Sequence, residues 1–351
     1  MDGKTREAAP PSPDTTPRNG SETDKRRGTP ASIMNPLDRY EPLVDDYEAF
    51  REACNRPLPS VVRVNSIKAD PERVRTALDE EGVTYEPVDW HDRLLKLPEG
   101  SPGTNWAYVH GWLHGQEEVS ALPALALDPD PGDRVLDSCA APGSKTCHLA
   151  DLMDDTGVLV GNDNNLGRIS ALRHNAERLG VSNLVVTNRD ARTFALDGVD
   201  EFDGVVADVP CSCEGTCRKN PDALETWTMN HVEGLVGVQK GILRRAIQLT
   251  RPGGEVVYST CTFAPEENER VVDHALEVED CELVEWDAPL ETTEGITEWQ
   301  DEEFDDSLTK AHRVYPHFND TGGFFVAKLR VVGDSEDETT ADAAADEEVS
   351  A

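Results

Sequence analysis

The chain has no run of 18 apolar residues, so no segment is long enough to cross a membrane as a helix. Its N-terminal stretch APPSPDTTPRNG is polar and proline-rich and lacks the apolar segment of a secretory signal. The expected setting is cytoplasmic, where thiols stay reduced. There is no internal repeat and no G-x-G-x-x-G, which disfavours a dinucleotide and with it a nucleotide-dependent oxidoreductase. Lysine is scarce, with 9 Lys and 24 Arg against 69 Asp plus Glu, and the net charge is −36. The tail after Arg330 holds eight acids and residues 1–30 come to +1, which leaves about −29 spread over the body. Dispersed acidity of this kind reads as a halophile-type surface, suited to molar salt where the Debye length is roughly 3 Å. At low salt it would argue against nucleic acid as a partner; in brine it argues much less.

With 351 residues and 37% hydrophobic content the chain can build one large domain or two modest ones. Residues 1–33 and 332–351 read as disordered tails, and 34–115 as a small α/β domain. In the latter VVRVNS is a strand and VTYEPVDW a second. Between them ADPERVRTALDEEGV is a helix capped by Asp70, opened by Pro71 and ended at Gly82. GQEEVSALPALAL is expected to be helical and interrupted at Pro123. Over residues 116–331 short apolar runs (RVLD, VLVGND, LVVTNRD, FDGVVADVP, GEVVYSTC) alternate with amphipathic stretches such as LGRISALRHNAERLG. That alternation predicts a mostly parallel sheet with right-handed crossovers. Phe324–Leu329 is expected to add a late antiparallel strand.

Ligands of such sheets sit at the carboxyl ends of the strands. Those ends here are Asp137, Asp163, Asp190, Asp208 and Cys261. The first strand runs into DSCAAPGSKT, whose small residues and Gly143 let backbone approach a ligand before a helix begins near Thr146. Asp163 is placed to accept from two ribose hydroxyls and Asp190 to meet an adenine amino edge, which points to an adenosine cofactor.

Cys211 follows Pro210 after the fourth strand, and Cys261 follows EVVYST, so adjacent strands would bring both thiols to one rim. Carbon 5 of cytosine is a poor nucleophile until a thiolate adds at carbon 6, which makes it enamine-like and able to take a methyl group. Asp208 is the candidate acid near N3. Zinc is disfavoured, because C-x-C-x₃-C over Cys211, Cys213 and Cys217 lacks a fourth ligand at usual spacing.

DSCAAPGSKT, DVPCS…GT.RKNPD and YSTCTFAPEENE are similar, in order, to the three signature stretches of the Nop2/Sun (RsmB/RsmF-type) RNA cytosine-5 methyltransferases, over roughly Val62 to Leu329. The resemblance implies a class I methyltransferase fold, α/β and Rossmann-like with a seven-stranded sheet, plus a small RRM-like N-terminal domain. It implies S-adenosylmethionine held by Cys139, Ala140, Ala141, Pro142, Gly143, Ser144 and Lys145, with Asp163, Arg168, Asp190 and Asp208. It also implies that Cys261 is the nucleophile, that Cys211 assists product release, and that Lys145 positions the target base. The expected substrate is RNA, most like that of the tRNA-modifying branch, with ribosomal RNA as the alternative. A catalytically silent RNA-binding or assembly protein is the reading from another class, and both thiols and Asp208 speak against it. No membrane, no metal and a monomer are expected.

The family often has Gly where this chain has Cys213, and an aliphatic residue or Met at Cys217; both are expected to pack in the loop. Cys54, Cys147 and Cys281 read as buried or neutral thiols, and His148 and His174 as surface or packing residues on helices. Trp106, Tyr108, Trp112 and Trp227 are candidates for stacking on bases or for the core. Arg218 and Lys219 are candidates for phosphate or for intramolecular pairs. No RNP aromatic signature and no PUA-like module is visible.

Overall fold

A computed structural model describes residues 35–98, 102–196 and 201–333. The tail expected at 1–33 lies outside them, as does all but Val332 and Gly333 of that expected at 332–351.

Strands β1 (Ser60–Val64), β2 (Glu86–Val88), β3 (His91–Leu97) and β4 (Leu113–Gly115) form an antiparallel sheet ordered β2-β3-β1-β4. The helix Pro71–Glu80 covers it with Val74 and Leu78, and Asp70 caps that helix by accepting from the Arg73 amide at 2.9 Å. The expected strand VTYEPVDW shrinks to β2, where the register shifts between Pro87 and Val88; proline has no N–H to continue a ladder. β3 escaped the pattern reading because Leu94 and Leu95 are adjacent and both buried. Leu95 faces the helix with Val62 and Val74, whereas Leu94 packs on the other face with Val61, Val88 and Ala121. A strand covered on both faces loses its alternation.

The larger sheet holds β5 (Arg134–Asp137), β6 (Val158–Asn162), β7 (Leu184–Thr187), β8 (Phe202–Asp208), β9 (Thr250–Thr260), β10 (Cys281–Leu283) and β11 (Thr293–Glu294). After a separate hairpin, β12 (Glu298–Trp299) with β13 (Glu302–Glu303), it gains β14 (His312–Val314) and β15 (Phe324–Val331). Its order is β11-β14-β15-β9-β8-β5-β6-β7, with β10 on β15. Strands β5 to β9 are parallel and β15 runs antiparallel to β9, as expected of Phe324–Leu329. The expected seven strands are therefore extended by two short edge pieces, β10 and β11. Leu136, Val160, Val205 and Val256 pack under the helix Met229–Leu249, while Val135, Leu159, Val206 and Val257 pack with Leu149 and Ala150 on the opposite face. Both faces are thus covered, which is why these strands read as unbroken apolar runs.

The chain leaves β5 for β6 and β7 on one side and returns to β8 and β9 on the other. The order therefore reverses between β5 and β8, where ligands of such sheets bind. Pro123 sits in the first turn of a new helix, Leu122–Leu127, after a 3₁₀ turn over Glu118–Ala121. The helix expected near Thr146 begins two residues earlier, at Ser144, behind Gly143 at φ 109. A Cβ at Gly143 would lie 2.9 Å from Leu172 Cδ1, so this close turn needs glycine twice over.

Candidate active site

The strand ends at the switch point are tied together by buried Asn162. Its side-chain amide donates to the Ser138 and Arg189 carbonyls at 3.1 Å each, and its Oδ1 accepts from Thr187 and the Arg189 amide. In front of them lies a cavity of about 510 Å³ lined by Ser138, Cys139, Asp163, Arg168, Asp190, Asp208 and the thiols Cys211, Cys213 and Cys261, among others. Asp163 is 2% exposed; one oxygen accepts from the Asn165 amide at 2.8 Å, and Oδ2 makes no hydrogen bond, although Arg168 Nη1 stands 3.2 Å away. Arg168 also donates to the Ala141 carbonyl, which ties the turn after β5 to the helix Leu166–Leu179. Asp190 is clasped by Arg192, with Nη2 2.6 Å from Oδ2, and that hydrogen bond holds its carboxyl below the ordinary value.

Not every strand-end carboxylate reaches the cavity. Asp137 is buried against Thr146 Oγ1 at 2.7 Å, and burial pushes its carboxyl up to about 7. It braces the start of the helix Ser144–Leu152. Ala140 and Ala141 are buried against Leu172. Pro142, Ser144 and Lys145 line a second cavity of about 340 Å³, together with Gln116, Glu117, Ser120, Lys219, Gly323 and Phe324. Cys261 lines both cavities, and no other described residue does.

Parallel pairing of β8 with β9 sets Asp208 beside Ser259, whose hydroxyl donates to Asp208 Oδ1 at 2.8 Å. Lys145 Nζ lies 2.8 Å from Asp208 Oδ2. Burial works against the Lys145 ammonium, but Asp208 more than offsets it and the net pKa is raised. The same register carries both expected thiols to one rim: Cys211 Sγ is 3.3 Å from Cys261 Sγ and 3.8 Å from Cys213 Sγ. Hydrogen bonds from Cys211 and Cys261 pull Cys213 down. Cys211 is pushed up by its bonds to Cys213 and Cys261. For Cys261 the Cys211 hydrogen bond favours the thiolate, yet Cys213 and burial outweigh it and hold this thiol up. Cys217 does not join them; it is buried with Cys54.

The sequence reading missed what fixes these thiols. Glu266, Glu267, Asn268 and Glu269 are all buried directly behind the Cys261 loop. Glu266 pairs with Arg39 and accepts from Trp299, Asn268 bonds Thr260 and the Thr262 carbonyl, and Glu269 pairs with buried Arg313. Glu267 accepts from the Ser212 amide at 3.0 Å and from Gln239 at 2.7 Å, and its other oxygen meets the Ser212 hydroxyl. That hydroxyl also lies 2.5 Å from Glu214, which accepts from Tyr40 at 2.5 Å. One hydroxyl proton cannot serve two carboxylates. Burial raises the Glu267 carboxyl to about 7, so below that pH its own proton can bridge to the Ser212 hydroxyl. Four consecutive polar residues between a strand and a helix were the available signal.

Other candidates separate cleanly. Arg218 is structural: it donates to the Arg56, Pro57 and Thr321 carbonyls and to Asp320 Oδ1 at 2.7 Å. Lys219 is exposed at the rim of the second cavity. Trp106 is 46% exposed and stands edge-on to Trp112, whereas Tyr108 and Trp112 pack partly buried on the small sheet. His148 is fully buried and His174 exposed.

Residues 124–330 match the family described as 16S rRNA methyltransferase RsmB/F, and residues 38–102 match the ferredoxin-like domain of RsmF/B-like methyltransferases. The chain is 37% identical over 297 residues to the tRNA (cytosine(49)-C(5))-methyltransferase of Pyrococcus abyssi, covering 84% of this chain and 94% of that protein. It is 35% identical over 309 residues to ribosomal RNA small subunit methyltransferase F of Vibrio parahaemolyticus, covering 86% of this chain but 63% of that protein. A solved methyltransferase homolog from Pyrococcus horikoshii superposes with a TM-score of 0.75 at 33% identity, covering 84% of this chain and 94% of that one. By sequence, by fold and by the strand-end site just described, the chain belongs to the RsmB/F methyltransferase family.

Proposed function

We propose that this protein transfers a methyl group from S-adenosylmethionine to carbon 5 of a cytosine in tRNA, with Cys261 as the thiol that bonds the ring. One observation carries the assignment of Cys261: among the described residues it alone lines both cavities. A group that must touch the pyrimidine on one side and face the methyl donor on the other belongs at that junction.

The cofactor fits the first cavity. Asp163, buried and with one oxygen that makes no hydrogen bond, suits the ribose hydroxyls, while Asp190, Arg168, Ser138 and Cys139 line the remainder. Bound there, S-adenosylmethionine supplies an electrophilic methyl group. The second cavity takes the flipped cytosine. Lys145 and Phe324 line it, with the Lys145 ammonium 5.5 Å from the ring centroid of Phe324. The Cys261 sulfur gives up its proton and bonds carbon 6 while ring nitrogen N3 takes up a proton, and carbon 5 gains the nucleophilic character the transfer needs. Asp208 lines the first cavity and, held by Ser259, pairs at 2.8 Å with Lys145 of the second, and this pair stabilises the ring during addition. Carbon 5 then gives its proton to water as the carbon 6–sulfur bond breaks and frees the Cys261 thiolate, and Cys211, 3.3 Å away, assists that release.

The tRNA assignment rests on the Pyrococcus abyssi relative, matched over 94% of its own length; the similarity to methyltransferase F favours a ribosomal target as the second reading. In this scheme residues 34–115 dock RNA and 116–331 carry the chemistry, in the cytoplasm. Cys261→Ala should abolish methylation while cofactor binding, read by calorimetry, is retained. Cys211→Ala should accumulate a protein–RNA adduct that survives a denaturing gel. Methylation by Cys261→Ala, or an adduct-free Cys211→Ala variant, would contradict the assignment of the two thiols.

A further inference from the structure

Methyl transfer gives no role to Cys213, yet this residue is held in the left-handed region, at φ 65. That conformation is unfavourable for a non-glycine residue, and such strain is retained where the surroundings over-determine it. The side chain so placed joins Cys211 and Cys261, and the three sulfurs all lie within 4.8 Å of one another. Three thiolates around one ion, each at about 2.3 Å, stand about 4 Å apart. Two of the separations seen here are 3.3 and 3.8 Å. Closing on an ion therefore needs adjustments of tenths of an ångström, well within reach of side-chain rotation.

We propose that Cys211, Cys213 and Cys261 form a binding site for a single copper(I) ion. Thiolates are soft ligands and select soft cations, copper(I) among them. Structural zinc is almost always four-coordinate, and among the described residues this cluster offers three ligands and no fourth. The cluster opens on the 510 Å³ cavity, so the ion has an entry path. Binding releases thiol protons and involves no change of oxidation state. Because Cys261 is one of the ligands, copper caps the thiol assigned to cytosine, and methyl transfer should stop while the ion is held and resume when a chelator removes it. Cys213 converts a pair of thiols, able to hold copper only in a linear arrangement, into a three-coordinate site.

The test reads the metal, not the methylation, so it can fail while the methyltransferase assignment stands. Reduced full-length protein is titrated anaerobically with copper(I) held by a competing chelator, then desalted and measured by mass spectrometry. One copper per chain is expected, and on iodoacetamide treatment Cys211, Cys213 and Cys261 should be protected together while Cys139 and Cys281 stay as reactive as without copper. Glycine suits the left-handed backbone, so Cys213→Gly should fold with an unchanged or higher melting temperature and bind copper(I) at least tenfold more weakly. Failure to retain copper, protection centred on other cysteines, or equal affinity in Cys213→Gly would overturn the proposal.

Discussion

Replacing Gly215 by alanine puts a methyl group where two backbone segments already meet. The Gly215 amide donates to the Cys261 carbonyl at 3.0 Å, and the Gly215 carbonyl accepts from Gly323 at 2.8 Å. A Cβ on Gly215 would stand 2.6 Å from the Gly323 oxygen and 2.8 Å from the Cys261 oxygen. Ordinary contact begins near 3.4 Å, so backbone must move by about 0.8 and 0.6 Å. Both contacts are with backbone, and no flexible side chain can absorb the shift. Overpacking of this kind costs about 1–3 kcal/mol. At about 2 °C per kcal/mol for a unit of this size, the melting temperature should drop by about 2–6 °C. The larger effect is on rate. Displacing Cys261 by part of an ångström at the junction of the cavities should lower kcat by roughly 100-fold, with a much smaller change in cofactor affinity. Tritiated-methyl incorporation into unmodified tRNA measures the rate, and thermal melts measure the stability. A Gly215→Ala enzyme within twofold of the parent rate would refute the claim that this contact positions Cys261.

Three further outcomes concern ionisable side chains around the site. Burial raises the folded-state pKa of Glu267 from 4.5 to about 7, so it binds more protons folded than unfolded in that window. Its contribution is fully present below pH 4.5 and is lost as pH rises towards 7, and Glu267→Gln keeps the donor to Ser212 without titrating. Relative to the parent, the variant should gain roughly 3 kcal/mol between pH 4.5 and 8 in urea melts; a difference independent of pH would contradict the protonated assignment. Arg218→Ala should cost about 3–5 kcal/mol, because it strips a buried cation from three carbonyls and Asp320, and a stability loss below 1 kcal/mol would sink that reading. Lys219→Ala should leave the melting temperature unchanged and raise KM for RNA severalfold, and an unaltered KM at low salt would remove it from the docking surface.

The parts of this site that could be read in the sequence are those set by strand periodicity. Asp163, Asp208 and Cys261 stand at or directly after the end of an apolar strand and Asp190 three residues beyond β7, and parallel pairing carries them to one edge. Contacts between distant segments were not legible. Nothing in the spacing of Cys211, Cys213 and Cys217 tells that Cys213 turns towards Cys261 while Cys217 turns towards Cys54, since a single left-handed residue decides it. Arg218 stayed open between phosphate and an intramolecular pair because its partners, Arg56, Pro57, Asp320 and Thr321, are far away in the chain. Asp137 looked equivalent to the other strand-end acids until Thr146 of the following helix was seen to cover it. In the sequence the Glu266–Glu269 run stands out only as the end of a signature stretch; its partners, partly buried Arg39 and buried Arg313, reveal a clamp.

The most direct test of the central claim uses tRNA carrying 5-fluorocytidine, whose fluorine cannot depart as a proton does, so the ring stays bonded to the attacking sulfur. Parent enzyme is incubated with this RNA and S-adenosylmethionine, digested with protease and nuclease, and the peptides are sequenced by mass spectrometry. The expected result is a methylated fluorocytidine nucleotide on the peptide containing Cys261, with the Cys211 and Cys213 peptides unmodified. A nucleotide on Cys211, or none on any cysteine, would contradict the account.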